Sequence, residues 1–276
     1  MKVALAQIVP IFGNWEASFL KHKEYVERAI EQKASLIVFP EMSLTGYNLQ
    51  DLTPEMSIRA TSEKLKEVAR QSMQIDLVVG FPEIDDHFRS YISCAYCSKG
   101  EVLHIYRKIF LPINGMFNDS KDFTPGHELL SFTVNDFHMG MLLCRDMWHE
   151  EAIVSYVKKD VQCLLIPSNI PLRNIDESGP AIHKFVERMV RGYAERNSIY
   201  AIYVNRVGFE EGTCFYGGSM IADPFGKVIV QAPFVEESLV YAEISTDVMK
   251  RKLASFHLHN DRRDAIVRKA FAGEER

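Results

Sequence analysis

Residues 137–151 read FHMGMLLCRDMWHEE, an apolar run that ends at Cys144, where charged residues begin at once. Met139 to Leu143 is too short for a helix and reads as a buried strand, which leaves the Cys144 thiol at the strand's exposed end, held rigidly beside a cleft. A nucleophile is presented in this way. Free cysteine is equally a small core hydrophobe, among the most buried residue types whether or not it reacts. The stretch therefore takes its meaning from what surrounds it.

Two other polar residues share this placement. In SLIVFPE, the run Leu36 to Phe39 reads as a short buried strand ended by Pro40, with Glu41 just beyond it. From Tyr91 to Arg107 two β runs flank the turn Ser98-Lys99-Gly100, and Lys108 stands at their far end. In open α/β sheets the strand ends are where ligand crevices form. A thiol there needs a base to become a thiolate, a carboxylate supplies one, and a cation stabilises the oxyanion formed when a carbonyl is attacked. A Glu–Lys ion pair beside an inert cysteine is the bland alternative, and spacing alone does not choose between them.

Around these positions β and α patterns alternate. Val3 to Ile8 is read as a strand, and Asn14 as the N-cap of a helix to about Lys33 with Phe19, Val26, Ala29 and Ile30 on one face. Thr53 and Pro54 suggest the start of a helix to about Met73, followed by a strand from Leu77 to Phe81. Residues 109–128 hold Pro112, Gly115, Pro125 and Gly126 with little periodicity and read as a long functional loop. Strands near 129–134 and 138–143 lead to Cys144. Beyond it come a short helix, the strand Cys163 to Ile166, and a helix with Ile182, Phe185, Val186, Met189, Val190, Tyr193 and Ala194 in register. Strands at 200–205, 214–222, 227–231 and 238–243 finish the core, and 245–276 reads as a polar tail or extra helix. No linker tract, repeat or low-complexity segment divides the chain, so residues 1–276 are taken as one domain of α/β layers.

Composition sets the outer bounds. The 276 residues are 47% apolar with a formal net charge of -5, so the core is large and no basic face is available to neutralise phosphates. Nucleic-acid partners are not expected. No apolar run approaches the roughly 18 residues of a membrane span, so no membrane partner is expected either. The N-terminal MKVALAQIVPIF is interrupted by Gln7 and Pro10 and reads as a first strand, not a secretory leader. Five cysteines leave one unpaired in any full disulfide scheme, which points to a reduced, cytoplasmic protein.

Three segments carry a resemblance. FPEMSLTGY (39–47), YRKIFLP (106–112) and LLCRDMW (142–148) resemble, in order and spacing, the signature blocks of the nitrilase, or carbon-nitrogen hydrolase, superfamily. NRVGFEEGTCFYGGSMIADPFGKV (205–228) resembles its late N-x-V-G and F-x-G-x-S segment, so most of the chain is covered. FPEMSLTGYNLQDL and LPINGMFNDSKDFTPG are particularly similar to the glutaminase module of glutamine-dependent NAD synthetase. The resemblance implies a four-layer α-β-β-α sandwich and maps a catalytic triad onto Glu41, Lys108 and Cys144. Glu41 would take the thiol proton, pass it to the departing amine and then activate water, while Lys108 and the backbone N–H after Cys144 would hold the oxyanion.

The pattern departs at two places. Counting back from Pro125 puts Asp119 where the family has a second glutamate, and its shorter side chain is expected to shift the substrate or weaken base assistance. The family's F-P-E after the cysteine block is His149-Glu150-Glu151 here. The resemblance also places Ser168 and Asn169, Trp148 and the lid residue Phe117 near the substrate, although packing alone accounts equally well for the two aromatics. Arg145 is expected to point away from its neighbour Cys144 and to form a structural ion pair.

Other signals are discounted. Cys94 and Cys97 form C-x-x-C on a predicted strand, where i and i+3 point to opposite faces, and no second pair completes a metal site. His257 and His259 fall in the polar tail and read as solvated. Gly217-Gly218-Ser219 lacks the nucleophile-elbow pattern, and no dinucleotide or P-loop motif occurs. The expected activity is a thiol amidohydrolase that cleaves a non-peptide C–N bond of a small amide through Cys144, with neither cofactor nor metal. N-carbamoyl amidohydrolase and nitrilase activities are the alternatives. A glutaminase-like subunit active only with a separate synthetase, or a binding protein, is the reading from another class. The apolar face on 182–194 and the tail after 245 suggest a homodimer.

Overall fold

Alternation along the strands decides which face each one buries. In β1 (Lys2–Gln7) Val3 and Leu5 join one apolar cluster while Ala4 and Ala6 join another. β2 (Leu36–Val38) repeats this, with Leu36 and Val38 on the first side and Ile37 on the second. The second cluster is closed by α1 (Trp15–Glu31) through Trp15, Tyr25, Val26 and Ala29, and by Leu65, Val68 and Ala69. The Asn14 side chain accepts from Ala17 N at 3.0 Å, so α1 begins where its cap predicts.

A computed structural model describes residues 1–113, 117–176, 179–255 and 269. The expected helix over 53–73 is two helices, α2 (Thr53–Met56) and α3 (Glu63–Arg70). Between them Ile58 bridges to β3 (Asp76–Ile84), donating to Pro82 O and accepting from Ile84 N, each at 3.0 Å. Sheet pairing overrides helix propensity there, and Ser62 recaps the chain by accepting from Leu65 N. β4 (Ser90–Ser98) and β5 (Glu101–Arg107) form the expected hairpin. The long loop after β5 holds one short helix, α4 (Asp119–Asp122).

β6 (Ser131–Val134) and β7 (Phe137–Met141) lead to the Cys144 turn and α5 (Glu150–Val157). β8 (Cys163–Ser168) follows, then a two-stranded ribbon of β9 (Ile175–Asp176) and β10 (Gly179–Pro180), and α6 (Ala181–Asn197). β11 (Tyr200–Asn205) precedes a hairpin of β12 (Val207–Glu210) and β13 (Thr213–Tyr216). The strand expected over 214–222 breaks at Gly217 and Gly218, both in the left-handed region, so its second half is a separate strand, β14 (Met220–Ala222). β15 (Val228–Gln231), β16 (Ser238–Glu243) and α7 (Thr246–Ser255) complete the chain as described. His257 and His259 lie outside the described residues.

Two six-stranded sheets result, ordered β16-β1-β2-β3-β4-β5 and β15-β14-β11-β8-β7-β6. Each has a parallel centre, β1-β2-β3 in one and β7-β8-β11 in the other, flanked by antiparallel strands. Their inner faces share one core, in which Val3, Leu36, Val78 and Tyr96 meet Met139, Met141 and Leu165. Helices α1 and α3 cover one outer face. On the other, α6 buries Val186, Val190 and Ala194, as its periodicity predicts. This is the α-β-β-α sandwich. Cys94 and Cys97 belong to different clusters, so they face opposite sides of β4.

The fold brings β3 tightly under the Glu41 turn. A Cβ on Gly80 would lie 2.3 Å from Met42 N and 2.8 Å from Pro40 O. Gly80→Ala is therefore expected to lower the unfolding free energy by about 1–3 kcal/mol, measured by urea denaturation. An unchanged midpoint would show that the turn can move aside.

Candidate active site

Glu41, Lys108 and Cys144 leave the two sheets from different strands and meet between them, where Glu41 and Lys108 are fully buried and Cys144 is 8% exposed. Lys108 Nζ lies 2.8 Å from Glu41 Oε1 and 2.9 Å from Asp119 Oδ2, and donates to the Tyr47 hydroxyl at 3.1 Å. Lys108 thus donates hydrogen bonds to Asp119 and Tyr47 and stands in ion-pair contact with Glu41. Neither Glu41 carboxylate oxygen has a hydrogen-bond partner among the described residues.

Local backbone conformation aims these groups. Cys144 opens a 3-10 turn, Cys144–Trp148, with φ at 46°, and Met42 beside Glu41 has φ at 52°. Left-handed backbone at a non-glycine residue is held only where its surroundings enforce it. For Cys144 that enforcement comes from Asp146, which is fully buried. Asp146 Oδ2 accepts from Leu143 N at 3.0 Å and from the Tyr106 hydroxyl at 2.8 Å, and Oδ1 accepts from Phe110 N at 2.8 Å. One carboxylate therefore ties the cysteine turn to the segment leaving Lys108. Sequence reasoning passed Asp146 over, although an acid two residues beyond the candidate nucleophile was the available signal.

The electrostatics suit proton transfer. Burial raises the Glu41 carboxyl and Lys108 pulls it back, leaving its pKa at about 7. Burial and the neighbouring Glu41 push the Cys144 thiol up, against Lys108 and the Asn169 backbone amide, which act the other way. For Lys108 burial favours the neutral amine but is outweighed by Glu41, Asp119 and Cys144, so the pKa rises. A neutral thiol beside a carboxylate near neutrality can lose its proton to that carboxylate; a resting thiolate is not required.

The cleft over Cys144 holds about 130 Å³ and is lined by Phe117, Arg145, Trp148, Asn169, Ile170 and Arg173, among others. Phe117, Trp148 and Asn169 are thus at the pocket, and Phe117 also packs edge-on to Tyr47 at 5.4 Å. Asn169 Nδ2 donates to Glu41 O at 2.9 Å, linking pocket wall and base. Ser168 differs from expectation. It is fully buried, its hydroxyl donates to Ile166 O at 3.3 Å, and it is not among the cleft's lining residues. Strand alternation turns it away once Asn169 faces the cleft. Arg145 also differs. Because Cys144 sits on a turn and not a strand, both residues face the cleft, and the guanidinium lies 5.3 Å from the Trp148 ring centre. No salt bridge involves Arg145 among the described residues. Asn205 and Ser219 buttress the wall from behind: Asn205 Oδ1 accepts from Ile170 N at 2.8 Å, and Asn205 N donates to Ser219 Oγ at 2.9 Å. A roomier groove of about 300 Å³, bordered by His104, Arg107 and His127, is lined by none of Glu41, Lys108, Asp119 and Cys144.

Residues 2–252 match the profile of the carbon-nitrogen hydrolase family. The chain belongs to the carbon-nitrogen hydrolase family. Among relatives, it is 30% identical over 251 residues to the glutamine-dependent NAD(+) synthetase of Acinetobacter baylyi, covering 91% of this chain and 45% of that protein. The chain thus spans about half the length of the synthetases it matches. A nitrilase of Pyrococcus abyssi is 27% identical over 261 residues, covering 91% of this chain and 92% of the relative. Among solved structures, an amidase from a Nesterenkonia species superposes with a TM-score of 0.77 at 25% identity, over 94% of this chain and 95% of that one. No helix among the described residues is long and apolar enough to cross a membrane.

Proposed function

We propose that this carbon-nitrogen hydrolase domain is a cysteine-dependent amidohydrolase, releasing ammonia from a small linear amide through a thioester on Cys144. The observation that carries the reading is the buried contact of Glu41, Lys108 and Asp119 beside Cys144 at the floor of a cleft. Glu41 takes the Sγ proton as sulfur attacks the amide carbon. Once protonated, Glu41 holds Lys108 less strongly, and the ammonium with the Arg145 backbone N–H stabilises the oxyanion. Glu41 then gives its proton to the departing ammonia, and afterwards takes one from the water that cleaves the thioester. No step calls for a metal or cofactor.

The cleft's volume of about 130 Å³ supports a small substrate, since pockets for drug-sized ligands run to roughly 300–1,000 Å³. Identity to the NAD(+) synthetase supports a second reading, a glutaminase-like subunit that works with a partner. We further assign a cytoplasmic location and a homodimer formed through the face of 182–194, where Phe185 is 40% exposed, and the tail after 245; sedimentation velocity tests the dimer.

The decisive assay measures ammonia release by the purified chain from glutamine, short aliphatic amides, ω-amides, carbamoyl amines and nitriles. Release from one amide class, with kcat/KM falling below a pH of about 7 as Glu41 takes up a proton, is the expected result. Preference for nitriles or carbamoyl amines would overturn the amide assignment. Silence of the folded chain that a synthetase partner relieves would establish the second reading.

A further inference from the structure

Tyr47 and the residues that hold it take no part in the steps above, yet they complete the lysine's surroundings. The Tyr47 hydroxyl donates to Asp119 Oδ2 at 2.5 Å and accepts from Lys108 Nζ at 3.1 Å. Its single proton is committed to Asp119, so its oxygen lone pairs remain for the ammonium. Asp119 is one methylene shorter than a glutamate, and the phenol lends the site a second oxygen that both fixes the carboxylate and receives the lysine.

What holds Tyr47 comes from the separate β12–β13 hairpin. Its backbone N–H and that of Asn48 both donate to Glu210 Oε1, at 2.9 and 2.7 Å. Glu210 Oε2 accepts from Arg206 Nη1 at 2.5 Å. This pair sits on the β12–β13 hairpin and its lead-in, is 6% and 1% exposed, and the Arg206 guanidinium lies 4.3 Å from the Phe215 ring centre. Gly46 permits the approach, because a Cβ there would lie 2.9 Å from Glu210 Oε2 and its φ is +81°. A buried ion pair with both carboxylate oxygens engaged is costly to build for stability alone. Here its fixed carboxylate grips two consecutive amides of the loop that leaves Glu41.

We propose that the Arg206–Glu210 pair is a positioning device for the active site: it clamps the Tyr47 backbone so that the Tyr47 hydroxyl aims Lys108 and Asp119. Neither residue touches substrate. Both act through Tyr47. The inference rests on the proposed roles of Glu41, Lys108 and Cys144.

The test reads Cys144 directly. Alkylation of the full chain by iodoacetamide, followed on the Cys144 peptide by mass spectrometry, reports how readily the thiol is activated and needs no knowledge of the natural amide. Glu41→Gln serves as the control for the underlying reading: if it leaves alkylation unchanged, the base assignment fails irrespective of the clamp. Given that control, Tyr47→Phe is expected to slow alkylation about tenfold to a hundredfold with little change in thermal midpoint. Glu210→Gln, compared per folded molecule, is expected to slow it similarly, and the double variant with Tyr47→Phe no further than Tyr47→Phe alone. Gly46→Ala, which pushes on the same contact, substitutes if Glu210→Gln does not fold. A Tyr47→Phe protein that alkylates at the wild-type rate, or losses that simply add, would overturn the proposal; additive losses are what two merely structural defects produce.

Discussion

Replacing Cys144 by alanine is expected to reduce amide hydrolysis on the order of 10⁶-fold while leaving the fold intact. Loss of a nucleophile removes the covalent path entirely, and what survives is whatever the cleft achieves by binding alone. Stability should hardly change. The lost atom is a single sulfur at the cleft floor, and the turn's left-handed start is secured by Asp146, whose contacts to Leu143, Tyr106 and Phe110 the variant retains. Ammonia release checks the activity, and thermal denaturation checks the fold.

Replacing Lys108 by methionine is expected to damage both activity and fold. The ammonium sits among Glu41, Asp119 and the Tyr47 hydroxyl, fully out of water. Breaking a buried pair by removing one partner costs about 3–5 kcal/mol, because the remaining carboxylates are left uncompensated. The loss depends on pH in a definite direction. Without Lys108, burial raises the Glu41 carboxyl further above its ordinary 4.5, so the folded state disfavours the ionised form. That penalty is absent well below 4.5, grows as pH rises through the unfolded value, and is complete only above the raised folded value. Wild-type Glu41, itself held at about 7, carries the same penalty up to that pH, so the gap between the urea midpoints of Lys108→Met and wild type should stay nearly constant from pH 4 to about pH 7 and widen above it. Activity should fall about 10³-fold even where the variant is folded, since a principal oxyanion donor is gone.

How far the sequence discloses this site depends on the range over which its signals act. Glu41, Lys108 and Cys144 were visible because each directly follows a predicted strand, a local pattern, and because the segments around them resemble the signature blocks of the family. The α6 helix was visible because Val186, Val190 and Ala194 repeat at helical spacing over several turns. By contrast, the break at Ser57 comes from Ile58 pairing with Pro82 and Ile84, a contact that propensity does not encode. The break at Gly217 comes from two left-handed glycines inside an apolar pattern that reads as continuous. Arg145 was assigned the wrong direction because strand alternation was extended one residue too far, into a turn.

Distance in the chain also explains what was missed. Glu210 reaches the amides of Tyr47 and Asn48 across more than half the sequence, and Asp146 gathers donors that precede it by some forty residues. Such buried acids look like ordinary surface charges until their partners are known. Asp119 is intermediate: its position was counted from Pro125, but its sharing of Lys108 with Tyr47 required the fold.

The central claim is that Cys144 carries the acyl group during turnover, and the most direct measurement is the mass of the enzyme itself. Acid-quenching the chain during hydrolysis of its best amide and mapping the peptide spanning Cys144 should reveal an added acyl group, equal to the amide less ammonia. The adduct should decay when substrate is exhausted. Full turnover with no adduct on Cys144, and undiminished by Cys144→Ala, would contradict the account.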